Sequence, residues 1–169
     1  MSRHAYLISV WLHILAATVW LGGMLFLSLV VTPALRRAGE PRFALEVLRF
    51  AGRRFRSVGW TCLAVLLATG VVNFLGRGYG FAVLGQAEFW LSPFGHAFAA
   101  KLALVALVAA LSAIHDFHIG RAATEAMSSR PGSREAENLR HMAAWIGRAN
   151  IILSLVITAF AVMMVRGAP

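Results

Sequence analysis

The sequence is poor in the residues that characterise soluble and disulfide-bonded proteins. It contains one cysteine and seven acidic residues in a chain of 169, and only 14% of its residues are charged. A soluble domain carries about 25% charged residues, and a single cysteine excludes an intramolecular disulfide or a four-thiolate metal site. A phosphate-binding glycine loop and a nucleophile–base pair are also missing. These absences argue against soluble, disulfide-rich and nucleotide-binding proteins.

Long uncharged stretches take the place of these features. No charged residue occurs between Arg3 and Arg36, and 59% of the chain is hydrophobic. A helix needs about 20 residues to cross a hydrocarbon core of roughly 30 Å. The first stretch exceeds the roughly 7–15 apolar residues of a signal peptide, and no Ala-x-Ala site follows it. Four stretches qualify, at about 5–32, 57–76, 93–119 and 145–165. We therefore predict an all-α fold: one integral membrane four-helix bundle, without a sequence repeat.

The arginines predict how this bundle is oriented. Of the 16 lysines and arginines, seven lie between the first and second stretches, four lie between the third and fourth, and Arg148 lies in the first turn of the fourth. Lysine and arginine near membrane spans stay cytoplasmic. We therefore predict a multi-pass protein of the bacterial inner (cytoplasmic) membrane with both termini extracytoplasmic. The sequence pI near 11.6 then reflects membrane topology, and no nucleic acid partner is expected.

The first arginine-rich segment also has an apolar face. In "PRFALEVLRFAGRRF", the residues Phe43, Val47, Phe50 and Ala51 share one side of a helix, and arginines occupy the other. This pattern is typical of an amphipathic helix on anionic lipid. We predict such a segment, together with cytoplasmic helical extensions of the spans, and membrane lipid as a partner.

The segment between the second and third stretches is rich in aromatic residues. "GRGYGFAVLGQAEFWLSP" contains Tyr79, Phe81, Phe89 and Trp90. Aromatic rings at this position form an interfacial belt in many membrane proteins. The alternative is a lid over a buried site. Ser92 and Pro93 at its end predict the start of the third helix, because serine caps helices and proline suits the first turn.

Two polar residues lie at a similar depth on different predicted helices. His13 is about eight residues, or roughly 12 Å, inside the first helix, and Lys101 is about as far beyond Pro93. A lysine at this depth costs about 2.5 kcal/mol or more unless it pairs or reaches the interface. We predict one buried cofactor or metal site that contains His13 and Lys101. In the alternative, Lys101 reaches the interface and His13 bonds a backbone carbonyl.

His115 is a candidate ligand for a separate metal site. It follows Lys101 on the same helix by about 21 Å, so it cannot share a metal ion with His13. Asp116, His118 and His141 lie near it in the prediction, at the cytoplasmic rim. Histidines at this spacing rarely converge on one ion. In the alternative, these residues form a solvated rim and bind no metal.

Other polar and aromatic residues recur at helical spacing. Thr69 and Asn73 are four residues apart, as are Asn150, Ser154 and Thr158. Such stripes face the interior of a bundle and form interhelical hydrogen bonds.

Trp20 shares a helix face with His13, Ala17 and Met24. This face suits a flat macrocycle, with Trp20 as a cofactor contact. Ordinary helix packing is the alternative.

Several short motifs together resemble a known group of membrane proteins. "HILAATVWLGGMLFLSLVVTPAL", "LATGVVNFL", "KLALVALVAALSAIH" and "RAN" resemble the CopD-type copper-resistance membrane domains. The related HemJ-type protoporphyrinogen oxidases have similar landmarks. This resemblance implies that His13 binds haem b, and that Lys101, His115, Arg148 and Asn150 belong to the cofactor site. It also implies a possible haem-dependent membrane oxidoreductase.

The chain departs from the HemJ pattern in two places. It has "GGMLFLSL" where that group has A-G-L-F-Y-L-P-R, and "NIIL" where that group has N-E-x-P. The resemblance therefore implies a haem-binding scaffold but not protoporphyrinogen oxidase activity.

Three functions follow from the residues and the resemblance together. The first is a haem b redox protein that passes electrons within the bilayer, from quinol or another membrane redox protein. The second is copper handling, in uptake or resistance. Copper(I) prefers thiolate, thioether and imidazole ligands, yet Met24, Met163 and Met164 are scattered and Cys62 is alone. The third is a non-metal accessory subunit. A homo-oligomer is compatible with all three.

Overall fold

The computed structural model describes residues 2–166, which are helical along almost their whole length. The α-helices are α1 (Arg3–Phe26), α2 (Thr32–Arg37), α3 (Pro41–Gly76), α4 (Ala87–Leu91), α5 (Pro93–Ile114), α6 (Gly120–Ser129) and α7 (Arg134–Arg166). A 3₁₀ turn, Phe81–Gly85, precedes α4. No strand occurs within residues 2–166, which confirms the predicted all-α class. The predicted extracytoplasmic C-terminus, Pro169, lies outside the described residues.

Four helical units are long and apolar enough to cross a membrane, as predicted. They are Arg3–Arg37, Pro41–Gly76, Pro93–Ser129 and Arg134–Val165. Each unit is longer than its predicted span, and most of the extra length lies at the end of the molecule that carries the arginines. We call this the arginine-rich end: α2, residues 41–56 of α3, residues 115–119, α6 and the start of α7.

The amphipathic segment is not a helix of its own. It forms the first part of α3, which runs without interruption for 36 residues, or about 54 Å. Phe43 and Phe50 are 52% and 58% exposed, so these two residues of the predicted apolar face point away from the bundle, whereas Val47 and Ala51 are half-buried.

Each half of the chain has the same layout, although the sequence shows no repeat. In the first half, the π-helical segment Leu27–Val31 joins α1 to α2, and in the second half His115–Ile119 joins α5 to α6. A turn with a glycine at positive φ, Gly39 (73°) or Gly132 (80°), then leads into a long helix. Glycine adopts this backbone conformation at little cost. The repeat is one of backbone geometry rather than of side chains.

The two halves form helical hairpins that pack side by side. In the first hairpin α1 packs along α3, and in the second α5 packs along α7. The hairpins meet where α1 contacts α7 and where side chains bridge α3 and α5, as in the stacking of Phe74 on Phe98.

Few side chains are buried between these helices. Large apolar side chains such as Trp11 and Leu29 are 62% and 67% exposed, as expected for helices that are surrounded by lipid. The buried polar residues include Thr69, Asn150 and Ser154, which confirms that the predicted stripes face the interior. Thr158 is an exception: it is exposed, and its hydroxyl donates to the Ser154 carbonyl.

Candidate functional site

His13 is held by a hydrogen bond to the neighbouring helix. Its Nδ1 lies 2.7 Å from Oγ1 of Thr69 on α3. The Thr69 hydroxyl donates its own proton to the Val65 carbonyl over 2.6 Å, so its oxygen accepts from the Nδ1–H of His13. A neutral imidazole with its proton on Nδ1 leaves Nε2 unprotonated. This is the tautomer in which histidine binds a metal through Nε2, with a partner that fixes the ring.

The backbone of α3 forms the wall against which this ring lies. Ser9, one turn before His13, donates to the Thr69 carbonyl over 3.3 Å. A Cβ placed on Gly70 would lie 3.8 Å from Cε1 of His13, in ordinary van der Waals contact. Two successive turns of α1 are thus fixed against one turn of α3. These contacts determine the orientation of the imidazole.

Asn73 adds an unsatisfied polar atom one turn further along α3. Its Oδ1 is buried and has no hydrogen-bond partner within residues 2–166. Buried oxygens in native proteins almost always accept a hydrogen bond. Asn73 therefore marks a position where water or a ligand would donate one.

Lys101 and Arg77 bring positive charge to this region. Lys101, on α5, is half-buried, and its charge acts on His13, as the charge of Arg77 acts on Lys101. Arg77 donates from Nη1 to the Met164 carbonyl over 3.1 Å and lies over the ring of Phe94. The imidazole of His13 thus has one cation near it, Lys101, and the exposed Arg77 lies near Lys101 in turn.

A cluster of aromatic rings closes this end of the bundle. Phe74, which follows Asn73, stacks on Phe98, which precedes Lys101 by one turn. Phe89 is only 7% exposed, whereas Phe81 is 61% exposed. Phe81 alone has the position of an interfacial belt residue, and the other rings pack as a cap. The cap consists of Phe74, Tyr79, Phe89, Trp90, Phe94 and Phe98.

Three of the sequence-based candidates lie elsewhere in the bundle. The Trp20 indole lies 3.6 Å from the Cβ position of Gly59, about 10 Å along α1 from His13, as the packing alternative describes. Asn150 donates from Nδ2 to Ser112 Oγ over 3.0 Å, and its Oδ1 is buried without a partner within residues 2–166. Arg148 is exposed and lies 4.7 Å from the centre of the Trp145 ring.

His115 takes part in a polar contact between α3 and the second hairpin. Its Nδ1 lies 3.0 Å from Asp116 Oδ1, and Asp116 Oδ2 accepts from Trp60 Nε1 over 3.1 Å. Arg56 donates to the Asp116 carbonyl over 3.0 Å. Sequence reasoning missed Trp60 and Arg56, although their spacing of four residues places them on one face of α3.

The histidines of the rim do not gather around a common point. Within residues 2–166, no group of three His, Cys, Asp or Glu side chains is arranged to hold a metal ion. His118 and His141 are exposed, which fits the solvated-rim alternative. His13 and His115 therefore stand as single imidazoles in separate parts of the molecule.

Comparison with known proteins gives one family and one relative. The family model described as "Copper resistance protein D" (CopD) matches residues 49–164. An uncharacterized protein of Aquifex aeolicus (strain VF5) is 34% identical over 157 residues, which are 92% of this chain and 92% of that protein. No solved structure matches the chain.

Proposed function

We propose that this chain, a multi-pass membrane protein, holds a metal centre through His13. The premise is its family: the chain belongs to the CopD family. The observation that carries this proposal is the hydrogen bond from His13 to Thr69, which leaves Nε2 of the half-buried ring unprotonated. A histidine within a membrane-spanning segment is a functional candidate by default. The first candidate centre is haem b and the second is copper.

The charges around His13 favour haem b. Haem carries two carboxylates, and Lys101 and Arg77 would pair with them, while His13 would bind the iron through Nε2. A lone copper ion at His13 would instead face the positive charge of the half-buried Lys101 in a medium of low dielectric constant, which is unfavourable. When bound, haem supplies one-electron chemistry at a potential set by its ligands and surroundings. Thr69 would orient the ligand, and the aromatic cap would keep water from that end.

Copper handling is supported by the description of the family. Copper(I) accepts imidazole and thiolate ligands, and the chain offers His13 and a buried thiol, Cys62. Cys62 precedes Thr69 on α3 by about 10 Å, so the two donors lie on different levels of the bundle. The chain therefore offers fewer residues placed to bind copper than residues placed to bind haem.

The distribution of arginines predicts on which side of the membrane the metal centre lies. We place the arginine-rich end in the cytoplasm of a bacterium and both termini outside it, because lysine and arginine near spans stay cytoplasmic. His13 then lies in the outer half of the inner membrane. Quinol in the bilayer or another membrane redox protein would supply the electrons.

The absorption spectrum of the purified full-length protein tests the proposal. We expect a haem spectrum, haem b in a pyridine haemochrome assay, and no stoichiometric copper in elemental analysis. His13→Ala is expected to abolish haem retention, whereas His141→Ala, at an exposed histidine, is the matched control and retains it. Copper without haem would support the second candidate. A folded protein that contains neither haem nor copper would favour the third function, a non-metal accessory subunit.

Two substitutions separate the roles open to Lys101. If Lys101 pairs with a haem carboxylate, Lys101→Arg keeps the haem content and Lys101→Met lowers it. If the neutral amine binds the iron, both substitutions change the spectrum. An unchanged spectrum and haem content in both variants would show that Lys101 only reaches the interface.

A further inference from the structure

A cavity of about 900 Å³ opens at the arginine-rich end. It lies between α2, α3, α6 and α7, on the side of the bundle away from the aromatic cap. Its wall carries six arginines, which are Arg36, Arg49, Arg53, Arg56, Arg121 and Arg140. Three carboxylates oppose them: Glu40, Asp116 and Glu125. Six positive charges against three negative charges leave the cavity with a formal charge of +3.

Two of these arginines, Arg49 and Arg56, are positioned by neutral groups rather than by carboxylates. Within residues 2–166 the ion pairs are His115–Asp116 and Arg130–Glu135, so none of the six arginines belongs to one. Arg49 donates to the Thr124 carbonyl over 3.2 Å and to the Ser128 hydroxyl. Arg56 donates to the Asp116 carbonyl. These bonds hold the half-buried guanidinium groups in place without neutralising them.

The remaining wall of the cavity is apolar. Leu35, Leu45, Leu48 and Met127 line it beside the arginines. A ligand that satisfies both kinds of wall carries an anionic group and a hydrocarbon part.

The first part of α3 places this cavity at the edge of the membrane. Its Phe43 and Phe50 are exposed and lie outside the cavity wall, whereas Arg49, Arg53 and Arg56 belong to that wall. Such a helix suits a lipid environment outside and a charged ligand inside. Arg56 borders the predicted span, and Arg49 lies about 10 Å beyond it. The headgroup layer on each side of the hydrocarbon core is roughly 5–8 Å thick, so Arg56 lies where this layer begins and Arg49 lies near its outer edge.

We infer that this cavity binds the phosphate group of an anionic phospholipid from the leaflet at the arginine-rich end. Guanidinium groups form paired hydrogen bonds with phosphate oxygens, and basic pockets between transmembrane helices hold anionic headgroups. A soluble phosphate compound shares this chemistry but leaves the leucines uncovered. The inference does not depend on a metal centre at His13.

Lipid titration of the delipidated full-length protein in detergent, followed by native mass spectrometry, tests this inference. The probes are phosphatidylglycerol, zwitterionic phosphatidylcholine as the reference lipid, and pyrophosphate as a soluble competitor. We expect wild-type protein to bind phosphatidylglycerol more tightly than phosphatidylcholine, and pyrophosphate to compete only weakly. The double variant Arg49→Gln/Arg56→Gln is expected to bind phosphatidylglycerol at least about tenfold more weakly, because charge-assisted hydrogen bonds are lost.

The matched control removes the same charge from the same helix. Arg42 and Arg54 are exposed and lie outside the cavity wall, so Arg42→Gln/Arg54→Gln is expected to change binding less than about twofold, as for rim charges. Equal weakening in both double variants would overturn the inference. Tight pyrophosphate binding without lipid selectivity would overturn it in favour of a soluble phosphate compound. If the cavity variant does not fold, the inference is still tested by the wild-type protein, through its preference for phosphatidylglycerol over phosphatidylcholine and the strength of pyrophosphate competition.

Discussion

Thr69 determines how the imidazole of His13 is presented. It accepts a hydrogen bond from one ring nitrogen, donates to the Val65 carbonyl, and offers its own carbonyl to Ser9. A residue that makes these three contacts links α1 to α3 and also selects the tautomer of His13. Its role at a metal centre would be that of an outer partner, which fixes the ligand without touching the metal.

Replacing Thr69 by valine is expected to weaken the centre while the fold persists. The change keeps the shape of the side chain and removes the acceptor for Nδ1–H. Loss of an outer partner lowers metal affinity by about 10–100-fold, whereas an interhelical hydrogen bond in a membrane contributes only about 0.6 kcal/mol. Haem or copper content after purification, together with thermal unfolding, measures the two effects.

Thr61→Val is the control for this substitution. Thr61 is exposed on the same helix, and its hydroxyl donates to the carbonyl of Ser57 one turn back. Cofactor content is expected to stay at the wild-type level in this variant. Equal losses in the two variants would contradict the role given to Thr69.

The sequence alone indicates His13 and Lys101 but not the partners of His13. A histidine and a lysine stand out in apolar stretches because their burial is costly. Thr69 and Asn73 are recognisable only as interior residues of α3, since which turn of α1 they face depends on the vertical register of the two helices. Periodicity fixes the face of a helix but not its register against a neighbour. For the same reason, the pairing of Asn150 with Ser112 could not be predicted.

At the level of secondary-structure elements, Gly120 maintains the π-helical segment that carries His115. The N–H of Gly120 bonds to the His115 carbonyl five residues back. A Cβ on Gly120 would lie only 2.8 Å from that carbonyl oxygen, which is closer than real side chains come to such an atom. The widened turn therefore depends on glycine at its end.

Gly120→Ala is expected to destabilise the protein by about 1–3 kcal/mol, the usual cost of overpacking. The added methyl group would displace the His115 carbonyl and disturb the contact of Asp116 with Trp60. Gly22→Ala is the control, because within residues 2–166 no atom beyond its chain neighbours and the backbone of its own helix lies within 4 Å of its Cβ position. Alanine there is expected to be neutral or to stabilise α1 by up to about 1 kcal/mol.

Thermal unfolding in detergent and hydrogen exchange at residues 115–120 measure this difference. Faster exchange confined to the Gly120→Ala variant is the expected result. Identical stability of the two glycine variants would show that the π-helical segment adapts to a side chain.

The length of α3 shows why element boundaries were harder to predict than elements. The predicted span began at Ser57 because the apolar run begins there, and hydrophobicity is the signal for a span. The helix itself begins at Pro41, a residue suited to the first turn. Between them lie mainly strong helix formers such as Leu, Arg, Glu and Ala. The amphipathic pattern predicted a helix in this segment, but hydrophobicity could not show that this helix continues into the span without a break.

At the scale of the whole molecule, the two hairpins turn at the same end. The turns at Gly39 and Gly132 both lie at the arginine-rich end, whereas the segment that contains Gly80 joins the hairpins at the other end. The distribution of arginines predicts that the two turns face the cytoplasm.

Fusions of alkaline phosphatase, which is active only outside the cytoplasm, test this orientation. Fusion after Gly132 is expected to be inactive, and fusion after Gly80 is expected to be active. A fluorescent protein that folds only in the cytoplasm should give the reverse pattern at the same two sites. Phosphatase activity at Gly132 would reject the orientation.

The repeated hairpin layout has a consequence for how the chain enters a membrane. With this orientation, the segment from Arg77 to Ser92 is the internal part that must be translocated, and it carries only two charged residues, Arg77 and Glu88. Both arginine-rich turns remain in the cytoplasm, where the chain is synthesised, and do not cross the membrane. Each pair of long helices can then insert as one unit during synthesis, and the internal segment that crosses the membrane between the two pairs is a short, largely uncharged link.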